Sequence, residues 1–462
     1  MKILLIYPSS GHIEIAVNKY VTLGAYIPPL GLLYIGKVLE INGHDVEIID
    51  CNAEEITEEK IESKLPFFDA VGMTVYSKPE ELNFSMKLAK LIKKYAPNIP
   101  LIIGGPHSSL FPEKAVEEHN ADICFCGEGE TRIHLLADAL EGKRKLSSIP
   151  GIYYKQGNKL KHTKAASQVK DLNKIPFPAR HLVDKYEYGY LIKSKLIKGK
   201  VTSSITSRGC PHHCRYCQIQ SHVPNYRTRT VENITEELEE IANQGFDSVV
   251  FSDDNFLAQK KKVGKVMDNI IKKELELKFW IINARVDSAD RELYIKLRDA
   301  GVEAMNFGIE SGNQDVLNYY NKTITPEQAR YAVNLCAELD IFVSANFIIG
   351  APIETKKHIE NTINFAKSLP LDNAFFYTLG YLYGSPLWKE AVKEGKIKPD
   401  EFWVNADKNR GLGHYTEEQL QKYSVCASNR FYNNPRYWYR ELARAIRTRD
   451  FRYILASFKS YL

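Results

Sequence analysis

Short apolar runs alternate with amphipathic stretches through the first third of the chain: Ile3 to Tyr7, Leu30 to Ile41, Val46 to Asp50, Ala70 to Val75, Phe84 to Tyr95, Leu101 to Gly105, Ile123 to Gly127 and Ile133 to Leu140. Strand and helix alternate about five times, which predicts a Rossmann-like, doubly wound parallel sheet with helices on both faces. Ligands of such a sheet sit beyond the carboxyl ends of its strands. The loops there are Ser9-Ser10-Gly11-His12, Tyr76-Ser77, Gly104-Gly105-Pro106-His107 and Gly127-Glu128-Gly129-Glu130. No G-x-G-x-x-G follows the first strand and no GK[ST] occurs, so a dinucleotide or nucleoside-triphosphate site has little support.

From Ile149 to Lys200 the pattern loosens into a predicted hairpin and an irregular connector. A second alternating series begins at Val201. Its predicted strands are Val201 to Ser207, Ser248 to Ser252, Phe279 to Asn283, Ala304 to Ile309, Phe342 to Ile349 and Ala374 to Leu379. Helices Val231 to Asn243, Val263 to Lys272, Arg291 to Ala300, Pro326 to Leu339 and Thr355 to Ser368 fall between them. About six strand-helix units make an open, partial (β/α)6 barrel, two short of the full eight. The predicted divisions are therefore 1–145, a hairpin and connector over 146–200, a barrel over 201–390, and a small, mainly helical segment over 391–462.

Composition changes this picture mainly at the end of the chain. The 462 residues, 44% apolar and 26% charged, fit a folded globular protein and exclude disordered, collagenous and rod-like classes. Seven arginines and one lysine face Glu441 and Asp450 between residues 430 and 462, so the excess charge of +5 sits in the tail. Trp438, Leu442 and Ile446, then Phe451, Leu455, Phe458 and Leu462, recur near a 3.6 period between those arginines. Two readings stand: a docked helix with a solvated basic face, or a surface for an anionic substrate or lipid headgroups. The aromatic, basic segment after Gly395 is expected to close the barrel mouth and select the substrate.

The opening Met-Lys-Ile-Leu-Leu-Ile-Tyr-Pro reads as a strand rather than a signal peptide, and the best membrane-span candidate, Ala374 to Tyr383, is too short and too polar. A cytoplasmic protein is expected, with membrane association only through the tail. Eight cysteines, three of them between 210 and 217, suit reduced thiols and a metal site better than a disulfide framework.

The chemistry concentrates in Arg208-Gly209-Cys210-Pro211-His212-His213-Cys214-Arg215-Tyr216-Cys217, directly after the first strand of the second series. Its CxxxCxxC spacing lets Cys210, Cys214 and Cys217 hold three irons of a cubane and leaves the fourth open to a small-molecule ligand. Zinc with His212 or His213 as fourth ligand is the alternative, although no second, distant CxxC pair exists. Cys51, Cys124, Cys126, Cys336 and Cys426 lie in or beside apolar segments, where a small buried residue is the default. Cys124 and Cys126 should point to one sheet face, a weaker metal candidate.

At this point the chain resembles the radical S-adenosylmethionine (radical SAM) superfamily. The resemblance implies a [4Fe-4S] cluster on the three cysteines. Its open iron chelates S-adenosylmethionine, whose reductive cleavage yields methionine and a 5′-deoxyadenosyl radical. It places Tyr216 near the adenine, and Asp253, Asp254 and Asn255, which replace the family's G-G-E segment, near the methionine ammonium. Arg285 ends the third strand. Glu310 and Ser311 match the fourth-strand motif reaching ribose or methionine, and Gly350 and Pro352 the fifth-strand motif along the adenine.

The first domain narrows the likeness. Pro28-Pro29-Leu30-Gly31-Leu32-Leu33-Tyr34, Gly43-His44-Asp45-Val46, Ile102-Ile103-Gly104-Gly105-Pro106-His107 and Cys126-Gly127-Glu128-Gly129-Glu130 resemble the cobalamin-binding domain of class B radical SAM enzymes. This implies a corrinoid whose nucleotide tail lies among the strand ends, with Ser9, Ser10, Gly104, Gly105, Gly127 and Glu128 as contacts. D-x-H-x-x-G is missing, since His12 lacks the preceding Asp and the spaced Gly, so cobalamin without a histidine ligand to cobalt is expected. The implied activity is methylation of an unactivated carbon. A ring-forming, oxidative or carbon-carbon coupling enzyme without methyl transfer is the alternative, and a zinc-dependent nucleic-acid binder the remote one. Implied partners are a small-molecule or lipid-like substrate, a low-potential electron donor such as a ferredoxin or flavodoxin, and a membrane surface met through the tail. Nucleic acid has little support.

Overall fold

The computed structural model describes residues 1–8, 26–191 and 194–455. The predicted contacts Ser9 and Ser10 lie outside them, as do His12, Phe458 and Leu462. The chain divides into two compact units, Met1–Ile197 and Lys198–Leu462.

The first unit is built on strands β1 (Lys2–Tyr7), β2 (Asp45–Asp50), β3 (Ala70–Thr74), β4 (Leu101–Gly104), β5 (Ile123–Phe125), β6 (Ile152–Gln156) and β7 (Lys159–His162). They form one sheet in the order β2-β1-β3-β4-β5-β6-β7. The first five run parallel, and β6 and β7 add antiparallel. Parallel strands covered on both faces read as continuous apolar runs. Leu4, Ile6, Ile48, Ile49, Val71, Leu101 and Ile103 accordingly have no exposed surface. The order reverses between β1 and β3, so the loops following those strands border a topological switch point.

The hairpin predicted as part of a connector belongs to this unit. A two-stranded hairpin is marginal alone, and β6 finds its partner on the free edge of β5. All of β7 (Lys-Leu-Lys-His) is exposed, and its two lysines suit an outer edge that must not pair further. The irregular stretch after it also packs here: Ala179 N donates to Leu33 O at 3.1 Å, and Tyr188 Oη donates to the buried Asp50 Oδ2 at 3.1 Å. The boundary therefore falls after Ile197, because these segments complete the first core and start no other.

The second unit contains six parallel strands in sequence order, Val201–Ser204, Ser248–Phe251, Lys278–Ala284, Val302–Glu310, Phe342–Ile349 and Asn373–Thr378. Helices Val231–Asn243, Lys260–Lys272, Arg291–Asp299, Pro326–Glu338 and Lys356–Ser368 cover the outer face. This is the partial (β/α)6 barrel. Trp280 and Phe342, two strands apart, stack with ring centroids 6.2 Å apart, which places both in the lumen. Above them Ser344 Oγ donates to Asn306 Oδ1 at 2.9 Å, and Asn306 Nδ2 donates to Ile282 O at 3.0 Å.

The tail divides: its first part stays at the carboxyl ends of the strands, where Trp403–Asn405 pairs with Gly380–Leu382 and Ala406, Gly413 and Leu420 lie against Gly350, and its last two helices lead away from the mouth. Helix Glu417–Tyr432 lies along the free edge of the sixth strand, where Ser424 Oγ donates to Phe376 O at 2.5 Å and Tyr432 Oη to Ala374 O at 3.5 Å. An open barrel leaves such edge carbonyls unpaired, and the helix supplies the donors a seventh strand would have brought. Helix Pro435–Thr448 then reaches the amino-terminal ends of the strands. Tyr453 stacks on Phe342 at 4.3 Å, the Arg444 guanidinium lies 4.9 Å over the Phe342 ring, and Arg444 pairs with Asp372. The last part of the aromatic, basic segment, from Pro435 on, is thus the barrel's floor, because its arginines match acids that precede the strands. No helix among the described residues is long and apolar enough to cross a membrane.

Candidate functional site

The cysteine loop leaves the first barrel strand through Ser207–Arg208, which pairs antiparallel with Arg227–Thr228 and clamps the base of the loop. Gly209 has φ +82, and a Cβ there would meet Asn225 O at 2.8 Å, so only glycine turns the chain into the loop. Farther along, Gln220 Nε2 donates to Cys210 O at 2.6 Å, Asn321 Nδ2 to His213 O at 2.9 Å, and Arg215 N to Tyr320 O at 2.9 Å. Arg215 also pairs with Glu390. Most of the loop backbone is therefore held before anything binds.

Cys214 is buried, Cys210 and Cys217 are half-buried, and all three are free thiols. Burial pushes the Cys210 thiol up and that of Cys217 to about 11. Arg285 Nη1 donates to Cys214 Sγ at 3.8 Å. The rest of that guanidinium is occupied: Nη2 donates to Lys322 O at 2.6 Å and pairs with Asp287 at 3.0 Å. Binding metal here releases protons from thiols that burial keeps neutral.

Among the described residues no three His, Cys, Asp or Glu side chains converge on a point one ion would occupy. A cubane takes each thiolate at a separate iron and needs no such convergence, so the three cysteines fit the cluster.

The acidic segment after the second strand divides its work. Asp253 is fully buried and accepts from Thr206 N and Oγ1 at 3.1 and 2.7 Å and from Ser207 Oγ at 2.5 Å. Asp254 accepts from Gly209 N at 3.0 Å. Both carboxylates fasten the lead into the cysteine loop. Asn255 is different: it is buried, and its Oδ1 has no hydrogen-bond partner among the described residues. An orphaned buried acceptor is costly unless a ligand donor satisfies it, and an ammonium fits.

Opposite lies a group the sequence reading did not assemble. Tyr216 Oη donates to Glu310 Oε1 at 2.7 Å, Lys322 Nζ donates to the same oxygen at 2.7 Å, and Lys322 Nζ stands 3.1 Å from Tyr216 Oη. Lys322 and Glu310 are each 5% exposed, so this is a buried ion pair. Glu310 sits at a register shift in the fourth strand with φ +69, a strained backbone for a non-glycine residue. Room comes from Gly308, whose Cβ would lie 2.5 Å from Glu310 Oε1 and 2.9 Å from Lys322 Nζ. The only sequence sign of Lys322 was a lysine after Tyr319-Tyr320-Asn321, and no periodicity links it to Glu310.

Ser311 and Gly350 serve the scaffold around this group. Ser311 Oγ lies 3.1 Å from Thr362 Oγ1 and is fully buried. Gly350 has φ +116, and its Cβ would lie 2.9 Å from Leu420 Cδ1. Gly350 N and Ala351 N donate to Glu354 Oε2 at 2.6 and 2.8 Å, and burial pushes this carboxyl up to about 7. Pro352 is half-buried within the same turn.

In the first unit, Gly105 has φ +98 and a Cβ there would lie 2.9 Å from Thr74 Cγ2, so glycine is required where β4 ends beside β3. Gly127, φ +73, has only the Arg132 guanidinium near its missing Cβ, at 3.9 Å. Gly104 is half-buried at the same strand end. The Glu128 Oε2 accepts from Val169 N at 2.6 Å. What the sequence reading missed is a relay across adjacent strand ends: Ser77 Oγ stands 3.1 Å from His107 Nδ1, and His107 Nε2 2.9 Å from Glu118 Oε2. His107 is fully buried and Ser77 half-exposed. Side-chain-free backbone and a held hydroxyl beside a switch point fit the polar tail of a corrinoid. Cys51, Cys124 and Cys336 are buried as expected, whereas Cys426 is exposed because it lies on the outer side of the edge helix.

Comparison with known proteins agrees with this geometry. The Radical SAM superfamily model matches residues 204–366 and the B12 binding domain model residues 20–137. The chain is 30% identical over 441 residues to an uncharacterized methyltransferase, PH0819, of Pyrococcus horikoshii, covering 94% of this chain and 93% of that one. It is 27% identical over 384 residues to the anaerobic magnesium-protoporphyrin IX monomethyl ester cyclase of Cereibacter sphaeroides, covering 79% of this chain and 60% of the cyclase. Its fold is that of the radical S-adenosylmethionine methyltransferase TsrM of Kitasatospora setae, solved with cobalamin and a [4Fe-4S] cluster, at TM-score 0.67 and 20% identity over 85% of this chain and 75% of that one. Cys loop, barrel and switch-point sheet therefore go together: the chain belongs to the class B, cobalamin-binding branch of the radical SAM superfamily, whose cofactors are a [4Fe-4S] cluster, S-adenosylmethionine and cobalamin.

Proposed function

We propose that the protein methylates an unactivated carbon of a small molecule that carries both apolar and hydrogen-bonding parts. The observation that carries the reaction type is the near end-to-end likeness to a protein named a methyltransferase, 94% of one chain on 93% of the other. When bound, cluster and S-adenosylmethionine supply a 5′-deoxyadenosyl radical for hydrogen removal, and cobalamin supplies the methyl group.

The residues of this chain bind and orient. Cys210, Cys214 and Cys217 would hold the cluster. The methionine part of S-adenosylmethionine would meet the Lys322 ammonium through its carboxylate and the unpartnered Asn255 Oδ1 through its ammonium. Tyr216 and Glu310 keep that lysine in place, so the cation need not reorganise on binding. Gly105, Gly127 and the Ser77 hydroxyl would receive the corrinoid tail.

The substrate reading rests on the lumen. By strand alternation, Asn346, Ile348 and Tyr377 face inward above the Asn306–Ser344 layer, and Tyr377 is 54% exposed. A wall of amide, aliphatic and phenol groups suits an amphipathic molecule. A ferredoxin or flavodoxin as electron donor and a peripheral membrane contact through the tail belong to the same proposal.

A second reading, ring closure or oxidation without methyl transfer, is favoured by the likeness to the cyclase, although this chain covers only 60% of that protein. The test is anaerobic turnover with S-adenosylmethionine labelled in its methyl group. Label in the product, 5′-deoxyadenosine formed alongside, and loss of both in Cys214→Ala support methylation. Deoxyadenosine with unlabelled product overturns it in favour of the second reading.

A further inference from the structure

We infer that the outer face of helix Pro435–Thr448, with the turn that follows it, is a docking surface for an anionic lipid bilayer. This deepens the membrane contact of the proposed function, on which it rests, by naming the face, its occupant and the charges that select it.

The helix buries Tyr437, Glu441 and Ala445. Its opposite side presents Arg436, Tyr439, Leu442 and Ile446 in steps of three or four residues, which is one helical face, and Arg449 follows at the left-handed residue that ends the helix. Tyr439 is 78% exposed, Leu442 47% and Ile446 62%, and beyond the helix Phe451 is 47% and Leu455 59% exposed. A third of the large apolar side chains exposed among the described residues thus fall in this short stretch. Scattered exposed apolar residues need no explanation, but a contiguous group does.

Charge points to the occupant. Arg440, Arg444 and Arg447 are engaged with the protein, on Leu371 O, Asp372 and Asp340. Arg436 and Arg449 are exposed, and among the described residues neither is in an ion pair. Among the described residues the acids near the face are buried or paired: Glu441 lies beneath it, Asp340 is held by Arg447, and Asp450 by Arg452 and by Lys198 at 3.4 Å. Free arginines flanking protruding aliphatic and tyrosine side chains match phosphodiester headgroups above acyl chains. A second copy fits poorly, because a two-fold contact would set arginines against arginines. Nucleic acid would satisfy the arginines and leave Leu442 and Ile446 in water. The face lies at the floor of the barrel, so a bilayer there leaves the cluster end of this unit open.

The experiment is co-sedimentation of the full chain with vesicles of phosphatidylcholine alone or with about 30% phosphatidylglycerol. Expected is binding to the anionic vesicles only, weakened by salt, and reduced about tenfold or more in both Leu442→Glu/Ile446→Glu and Arg436→Glu/Arg449→Glu. These exposed changes leave the fold intact, which an unchanged melting temperature checks. Three results overturn the inference: no vesicle binding, binding that both double variants retain, or a dimer or nucleic-acid complex that the same variants abolish while vesicles stay unbound. The assay needs neither cofactor nor turnover. Its failure therefore removes the surface alone, whereas failure of the labelled-methyl assay removes the enzymatic reading alone.

Discussion

The two ends of the barrel are built from the same residue types to opposite effect. At the cluster end, Arg285, Glu310, Lys322 and Asn255 are buried around a loop whose thiols are free, and one buried acceptor has no partner. At the floor, Arg444 is paired with Asp372, Arg447 with Asp340 and Arg452 with Asp450, and Trp280, Phe342 and Tyr453 stack into a plug. The first end keeps polar capacity in reserve and includes a strained glutamate, while the second spends these inward-facing groups on the fold. That is the usual division of a β/α barrel between a reactive carboxyl face and a stabilising amino face. The difference teaches that a basic, aromatic segment reveals its role only through its partners.

The largest expected effect that sharpens this contrast is Cys214→Ala. The reconstituted variant should lose the iron-sulfur absorption band and all 5′-deoxyadenosine formation, with little change in melting temperature, since the loop is held by backbone contacts. Next is Lys322→Met. Removing one member of a buried pair costs roughly 2–5 kcal/mol where it binds a charged ligand, so kcat/KM for S-adenosylmethionine should fall about 30-fold or more. Isothermal titration with S-adenosylmethionine on the cluster-loaded protein checks it, and unchanged affinity would remove Lys322 from the site.

At the floor the effects should appear in stability instead. Glu441 is buried beside Asp372, and its carboxyl is pushed up to about 8 from 4.5, first by burial and then by that neighbouring carboxylate. A raised acid keeps its proton in the folded state after the unfolded chain has released it. Stability therefore falls as pH rises from about 4.5 to about 8, by at most ~1.4 kcal/mol per unit. Glu441→Gln should flatten that slope in melts run from pH 5 to 8.5 (about the measurable range). The smallest effect expected is for Tyr453→Ala, about 2 kcal/mol for truncating a half-buried ring. Denaturant titration should show the loss, and deoxyadenosine formation per folded molecule should stay unchanged. A floor variant that slows the chemistry directly would break the comparison.

Much of this architecture is readable in one dimension. Helix Val231–Asn243 and strand Phe342–Ile349 lie where periodicity places them, residue for residue. Most remaining barrel boundaries differ by a few residues at their ends, where fraying and caps rather than burial decide. The cysteine loop was legible because its three thiols are local. The bonds of Asp253 to Thr206 and Ser207 were not legible because those partners lie across a strand pairing. Ser77, His107 and Glu118 escaped notice for the same reason: each stands at the end of a different element.

The sequence by itself determined the element types, the parallel order they imply, the three thiols and the amphipathic character of the tail, because each depends on residues a few positions apart. Tertiary structure alone decided that the hairpin completes the first sheet, that Lys322 meets Glu310, and that the tail's last two helices seal the barrel's edge and floor. Those outcomes depend on which unpaired edge, orphaned carbonyl or buried acid lies within reach after collapse, and chain order carries no record of that distance.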